Sequence, residues 1–218
     1  MVRLVCLVLA LSLAALPARA CRLALALAVD VSGSIDPGEY RFQMDGLADA
    51  LDDPEVADAL VLSQAAVMVV QWSGQRDQHI SIPWRRMLSY DAVARFSNDV
   101  RQTQRRWHGG KTAVGEMMQF VLPEFARVSD CQRHVIDVSG DGATNDGGDT
   151  VGPRRSAQAA GVTVNGIAID RIGASIAQYY KNFVIVGQGS FVLNARGYSD
   201  YPRAIRAKLL REIAVPAM

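Results

Sequence analysis

Apolar residues occur along the chain in short runs, separated by longer stretches in which apolar and polar residues mix. Every residue from Leu23 to Val29 is apolar, which is typical of a central parallel strand buried on both faces. Similar runs predict further strands, at Ala65–Trp72, His79–Trp84, Arg133–Val138, Val162–Ile169 and Ser190–Leu193. The chain is therefore expected to contain a six-stranded sheet.

The stretches between the strands have the spacing of amphipathic helices. Asp36-Pro37-Gly38-Glu39 has the pattern of a capping box with proline at the first helical position. The apolar residues that follow share one face of this helix: Tyr40, Met44, Leu47 and Leu51. Further helices are predicted over residues 91–106, 112–128, 153–160 and 200–214.

One connection is too short for a helical crossover. Only Ser73–Gln78 separates the second strand from the third, so these two strands are expected to form an antiparallel hairpin. The alternation of strands and helices elsewhere favours parallel pairing. The predicted fold class is α/β, with a Rossmann-like, doubly wound, mostly parallel sheet, one antiparallel edge strand and helices on both faces.

The N-terminus has the three parts of a secretory signal peptide. Met1-Val2-Arg3 carries a positive charge, and Leu4–Leu16 is apolar. Pro17-Ala18-Arg19-Ala20 then ends in the Ala-x-Ala pattern of a cleavage site. The apolar stretch is too short to cross a bilayer as a helix. We expect cleavage after Ala20, which leaves residues 21–218 as one domain that is exported to the periplasm or secreted.

The charge of the exported chain gives no sign of an anionic partner. Removal of Arg3 and Arg19 leaves 21 basic and 22 acidic residues. This balance argues against nucleic acid or an anionic membrane as the partner, and no later segment is long and apolar enough to span a membrane. A small basic cluster, Arg101, Arg105 and Arg106, is interpreted as a solvated helix face.

Oxygen-bearing side chains follow two predicted strands. Asp30, Ser32 and Ser34 leave the first strand, and Asp141 follows the fourth. Thr112 follows the glycine turn Gly109-Gly110. Because ligands in open α/β sheets bind at the carboxyl ends of strands, these residues are expected to converge. Such a set suits Mg²⁺, Mn²⁺ or Ca²⁺. In the alternative interpretation, the first three residues and Thr112 only cap the helices that follow.

These residues resemble the metal-ion-dependent adhesion site (MIDAS) of von Willebrand factor A (vWA) domains. Asp30-Val31-Ser32-Gly33-Ser34 matches the Asp-x-Ser-x-Ser motif of that family, and Gly110–Gly115 matches its threonine motif. Ser139-Gly140-Asp141-Gly142 matches its aspartate motif, except that Gly140 stands where a hydroxyl residue is usual. The three motifs occur in the expected order, as in exported bacterial proteins with vWA-like domains.

The resemblance implies a metal site and a binding function. It implies cation ligands at Asp30, Ser32, Ser34, Thr112 and Asp141. It also implies a protein or peptide partner that donates a Glu or Asp carboxylate. We expect no enzymatic activity, because these loops offer no general base or nucleophile beside the oxygen ligands. Two alternatives stay open: a metal-dependent hydrolase, or a scaffold whose binding does not need the metal. Asp137 lies about 13 Å along the strand from Asp141, so we expect it to be a buried ion pair or a hydrogen-bonded group instead.

The cysteines provide a prediction about strand register. Cys21 lies nine residues before Asp30, and Cys131 lies ten before Asp141. If both aspartates end adjacent parallel strands, both cysteines lie at the opposite end of the sheet, within disulfide distance. A disulfide between Cys21 and Cys131 is therefore expected. The competing interpretation, a lipid-modified Cys21, is less favoured because Arg19 is a poor match to a lipoprotein signal.

Overall fold

A computed structural model describes residues 21–170, 173 and 175–214. The predicted signal peptide, residues 1–20, lies outside the described residues, so its cleavage remains a prediction. Across the described part of the chain, no helix is long and apolar enough to cross a membrane.

The centre of the structure is a mixed sheet. In the described residues it has six strands: β1 (Leu23–Asp30), β2 (Ala66–Trp72), β3 (Gln78–Arg86), β4 (Arg133–Gly140), β5 (Val162–Ile169) and β6 (Val192–Ala195). Their order across the sheet is β3-β2-β1-β4-β5-β6. Only the β2–β3 pairing is antiparallel. The predicted α/β class, with one antiparallel edge strand, is confirmed.

Helices cover both faces of the sheet. The α-helices of the described residues are α1 (Pro37–Asp52), α2 (Pro54–Ser63), α3 (Tyr90–Gln102), α4 (Val114–Val121), α5 (Val151–Ala159), α6 (Ser175–Phe183) and α7 (Tyr201–Ile213). The predicted helix over 112–128 was wrong in part, because it begins at Val114 and continues as a 3₁₀ helix over Leu122–Val128. The sequence analysis assigned no helix to the ranges of α2 and α6.

The sheet separates two apolar layers. Leu23, Leu25 and Leu27 of β1 face one layer, together with α1, α2, α3 and α7. The small residues that alternate with them, Ala24 and its equivalents along the strand, face the layer that contains α4, α5 and α6. The strand is buried at every position, as expected for the centre of a parallel sheet. This packing holds the ends of β1 and β4 side by side.

A disulfide joins the amino-terminal sides of β1 and β4. The Cα atoms of Cys21 and Cys131 are 4.4 Å apart. Leu23 pairs with Arg133 in the sheet, and each of these two residues lies two positions after a cysteine of the disulfide. Both strands therefore run the same distance from the disulfide before they reach the loops at their carboxyl ends.

Asp137 takes part in a buried ionic network between β4 and α7. Lys208 Nζ lies 2.7 Å from Asp137 Oδ1 and also contacts the Glu212 carboxylate. Asn165 Nδ2 of β5 donates to Glu212 Oε1 at 3.0 Å. All three charged side chains are sealed from solvent. The expectation of a buried ion pair at Asp137 is confirmed.

Candidate metal centre

The loops that follow β1 and β4 meet at the carboxyl edge of the sheet. Asp30 ends β1, and its Oδ1 accepts a hydrogen bond of 2.7 Å from the Ser32 amide. The hydroxyls of Ser32 and Ser34 are 3.2 Å apart. Ser34 Oγ in turn donates to Asp141 Oδ1 at 2.6 Å. The side chains of the first and third motifs therefore form one connected cluster of oxygen atoms.

The loop that carries Thr112 is tied to both of the others. The Thr112 amide donates to Asn145 Oδ1 at 2.8 Å, and the Asn145 amide donates to the Thr112 carbonyl at 2.9 Å. The Gly33 amide donates to the Gly110 carbonyl at 2.9 Å. A Cβ added to Gly142 would lie only 3.4 Å from Thr112 Oγ1. The threonine hydroxyl thus lies beside the aspartate loop.

The geometry does not favour the alternative in which these side chains only cap helices. The capping box of α1 is formed by Asp36 and Glu39, two residues beyond Ser34. The N-cap position of α4 is Ala113, and the amide of Val114 is instead bonded to Thr144 Oγ1. In the described part of the chain, the hydroxyls and carboxylates at the sheet edge therefore cap neither α1 nor α4.

The carboxylate of Asp30 is fully buried. Its Oδ2 has no hydrogen-bond partner among the described residues. Burial raises the pKa of the Asp30 carboxyl to about 7, and the Asp141 carboxylate adds to the rise, whereas Ser32 and Arg105 oppose it. A divalent cation bound by the Asp30 carboxylate would favour the ionised form.

Arg105 has a role at the site that differs from the predicted one. It is not part of a solvated helix face, because its guanidinium donates to the carbonyls of Val31 at 3.1 Å and Ser32 at 2.9 Å. Its neighbour Arg101 does lie on α3, where it pairs with Asp49. The sequence offered no signal for Arg105, because the bonds depend on how the chain returns after α3.

Two tyrosines near the site were also missed. Tyr180 of α6 and Tyr198 are buried, and burial raises the pKa of both phenols, with Asp30 and Asp141 contributing further. Tyr198 lies close enough to Asp141 for the two side chains to interact. Both residues come from the last third of the chain, where the sequence analysis found no motif.

The donor set fits a hard cation. The side chains that meet at the sheet edge offer carboxylate and hydroxyl oxygens, which are the ligands that Mg²⁺, Mn²⁺ and Ca²⁺ prefer. The described residues contain no group of three or more His, Cys, Asp or Glu side chains that could hold a metal ion. A cation here would therefore depend on the hydroxyls of Ser32, Ser34 and Thr112 together with the two aspartates.

Comparison with solved structures defines the fold. A von Willebrand factor type A structure from Catenulispora acidiphila superposes with a TM-score of 0.65 at 15% identity, over 88% of this chain and 43% of that one. Proximal thread matrix protein 1 from the mussel byssus, with a zinc-occupied MIDAS motif, gives a TM-score of 0.67 at 19% identity, over 89% of this chain and 48% of that one. The chain has a von Willebrand factor type A fold.

A third similar structure is an adhesin. The pilus adhesin SpaC from Lactobacillus rhamnosus GG, in its open conformation, gives a TM-score of 0.62 at 14% identity, over 88% of this chain and 29% of that one. The chain spans less than half the length of each of these structures. Comparison with curated proteins gives no match. Residues 20–217 match a family described as protein of unknown function (DUF1194), and the chain belongs to this family.

Proposed function

We propose that the chain is a divalent-cation-dependent binding module of the adhesion type. The observation that carries the proposal is the 2.6 Å hydrogen bond from Ser34 Oγ to Asp141 Oδ1, which joins two of the three motifs into one oxygen cluster. The unpartnered Oδ2 of Asp30 lies on the buried side of the same cluster. The proposed ligands are Asp30, Ser32, Ser34, Thr112 and Asp141.

The exposure of these side chains indicates how a partner would reach the cation. Asp30, Ser32 and Thr112 are buried, whereas Ser34 is exposed and Asp141 is half-buried. A bound Mg²⁺ or Mn²⁺ would supply an electrophilic position that a carboxylate can fill. Three of the proposed ligands are neutral hydroxyls, which leave the cation attractive to an anion. We therefore propose that a Glu or Asp of a protein or peptide partner binds there.

The surface beside the first loop supports an acidic partner. A cavity of about 330 Å³ lies next to Arg105, and its lining also includes Arg106 and His79 but no acidic residue. Arg105 links this cavity to the metal loop through its bonds to Val31 and Ser32. The zinc-occupied MIDAS of the mussel protein and the adhesin title of SpaC are consistent with metal-dependent protein binding on this fold.

We further propose that the site binds and does not catalyse. Two buried tyrosines that interact with the aspartates, Tyr180 and Tyr198, have pKa values raised by burial, which makes them poor bases near neutral pH. The Cys21–Cys131 disulfide supports export to an oxidising compartment, the periplasm or the exterior. A screen for phosphatase and esterase activity tests the rival: an activity that disappears in Asp141→Ala would favour a hydrolase.

Calorimetric titration with Mg²⁺ and Mn²⁺ tests the metal site. We expect binding by the unmodified protein and by Asp99→Ala, a control at an exposed ion pair on α3, and none by Asp30→Ala. Equal binding by Asp30→Ala would contradict the assignment. Affinity capture from periplasmic extract then tests the partner: a protein retained in Mg²⁺ should be lost in chelator and with Asp30→Ala as bait. Retention that is insensitive to both would favour a metal-independent scaffold.

A further inference from the structure

Tyr180 occupies a narrow slot, which is open because Gly140 and Gly166 have no side chains. Its ring, carried by α6, is completely buried against the sheet. A Cβ added to Gly166 on β5 would lie 2.6 Å from Tyr180 Cδ2, and one added to Gly140 on β4 would lie 2.7 Å from the Tyr180 hydroxyl oxygen. Such contacts are too short for real atoms, so any larger residue at either position would displace the ring.

The slot ends at the metal loop. The same Cβ position above Gly140 lies 2.8 Å from Asp30 Oδ2. The Tyr180 hydroxyl and Asp30 Oδ2 thus border one small space, and both are buried with no hydrogen-bond partner among the described residues. Burying polar groups without partners is unfavourable, so two of them facing one space indicate a shared function.

Gly140 is also the position at which the chain departs from the aspartate motif. A hydroxyl residue is usual at this position of the motif, where this chain has glycine. We infer that Tyr180 is a positioning residue of the metal centre, whose hydroxyl, reaching from α6 over Gly140, hydrogen-bonds the Oδ2 edge of Asp30 directly or through one water when the cation is bound. The inference rests on the proposed function. Hydrogen bonds to ligating carboxylates fix their orientation and tune metal affinity.

Tyr180→Phe separates this role from packing. The phenyl ring keeps the slot filled and only the hydroxyl is lost. We expect Mg²⁺ affinity, measured by calorimetry, to fall about 10- to 100-fold. The melting temperature of the metal-free protein should stay equal or rise, because a buried hydroxyl without a partner is removed. Tyr90→Phe is the control: its hydroxyl joins α3 to α2 by donating to the Asp58 carboxylate, so Mg²⁺ affinity should not change.

Gly140→Ala provides a second test. The added methyl group would occupy the space between Tyr180 and Asp30, so Mg²⁺ affinity should fall as in Tyr180→Phe. The methyl group would also press on Asp30 Oδ2, so the fall should be at least as large as in Tyr180→Phe. Mg²⁺ affinity of Tyr180→Phe within twofold of the unmodified protein would overturn the inference.

The two proposals can fail separately. If the unmodified protein binds no cation, the proposed function itself fails. If Asp30→Ala abolishes binding and Tyr180→Phe leaves it unchanged, only the role of Tyr180 in the metal centre is excluded.

Discussion

At the scale of single residues, the candidate site depends on side chains that lie outside its motifs. Arg105 binds two successive carbonyls of the first loop, and Gln43 Nε2 of α1 donates to the Asp30 carbonyl at 3.2 Å. Bonds to backbone carbonyls fix the path of the loop, and thereby the direction in which Asp30 and Ser32 point. The loop is thus held from outside before any cation is bound.

We predict that Arg105→Ala weakens Mg²⁺ binding about 10-fold, because a loop that loses these two bonds must be ordered when the cation binds. Calorimetric titration at constant pH measures the effect. Arg106→Ala is the matched control: the adjacent arginine is exposed, and its backbone amide, which the variant keeps, donates to Gln71 Oε1. Equal Mg²⁺ affinities for the two variants would show that the Arg105 bonds do not organise the loop.

At the scale of elements, the strands were predicted more accurately than the helices. The continuous apolar run of β1 and the short β2–β3 connection have few alternative structures. The helices α2 and α6 were missed for different reasons. Asp53 ends α1 and caps α2 without an intervening loop, and the helix start marked by Asp53 and Pro54 was overlooked because no loop separates the two helices. In α6, the burial of Tyr180 depends on glycines of β4 and β5, which are distant in sequence.

The pairing of β4 with α7 leads to a prediction about pH. Burial raises the pKa of Asp137 to about 7, with Glu212 adding to the rise and Lys208 opposing it. The buried cluster consists of two carboxylates, Asp137 and Glu212, and one ammonium group, Lys208. Its net charge is zero only when one of the carboxylates is protonated. The folded state therefore binds a proton that the unfolded chain releases near pH 3.9. The stability that this proton supplies is fully present below that pH and is lost as the pH rises through about 7.

Asp137→Asn should remove this dependence, because the remaining Lys208–Glu212 pair is neutral without a proton. Urea unfolding at pH 5 and pH 8 measures it. We expect the unfolding free energy of the unmodified protein to fall by a few kcal/mol more than that of Asp137→Asn over this range. Asp99→Asn, which changes an exposed ion pair, should follow the unmodified protein. Parallel curves for the unmodified protein and Asp137→Asn would contradict the prediction.

At the scale of the whole molecule, register decides which residues meet. Cys21, Cys131, Asp30 and Asp141 are at matching distances along two adjacent strands, and this spacing could be read from the sequence. The convergence of the three motifs could therefore be predicted. The contributions of Arg105 and Tyr180 could not be predicted. They depend on the path by which the loop after α3 and the helix α6 come back to the sheet edge, and no periodicity or motif in the sequence indicates these paths.

The same architecture places a carboxylate, Asp30, where it destabilises the fold unless a cation is bound. Its raised pKa means that, without metal, its contribution to stability is complete below about pH 3.9 and disappears as the pH passes through about 7. Asp30→Asn keeps an acceptor for the Ser32 amide and does not titrate. In chelator at pH 8 it should therefore unfold at higher urea than the unmodified protein, and the difference should be much smaller at pH 5.

Addition of Mg²⁺ should narrow the difference in stability between the two proteins at pH 8. At a free Mg²⁺ concentration 100 times the dissociation constant, the unmodified protein should gain about 2.7 kcal/mol and Asp30→Asn nothing, because only the folded, ionised site binds the cation. Urea unfolding with and without Mg²⁺ measures both gains. An Asp30→Asn variant that is less stable than the unmodified protein in chelator would mean that Asp30 supports the fold itself. A higher stability of Asp30→Asn in chelator, together with an Mg²⁺ gain confined to the unmodified protein, would instead show that this fold retains a destabilising residue for the cation it binds.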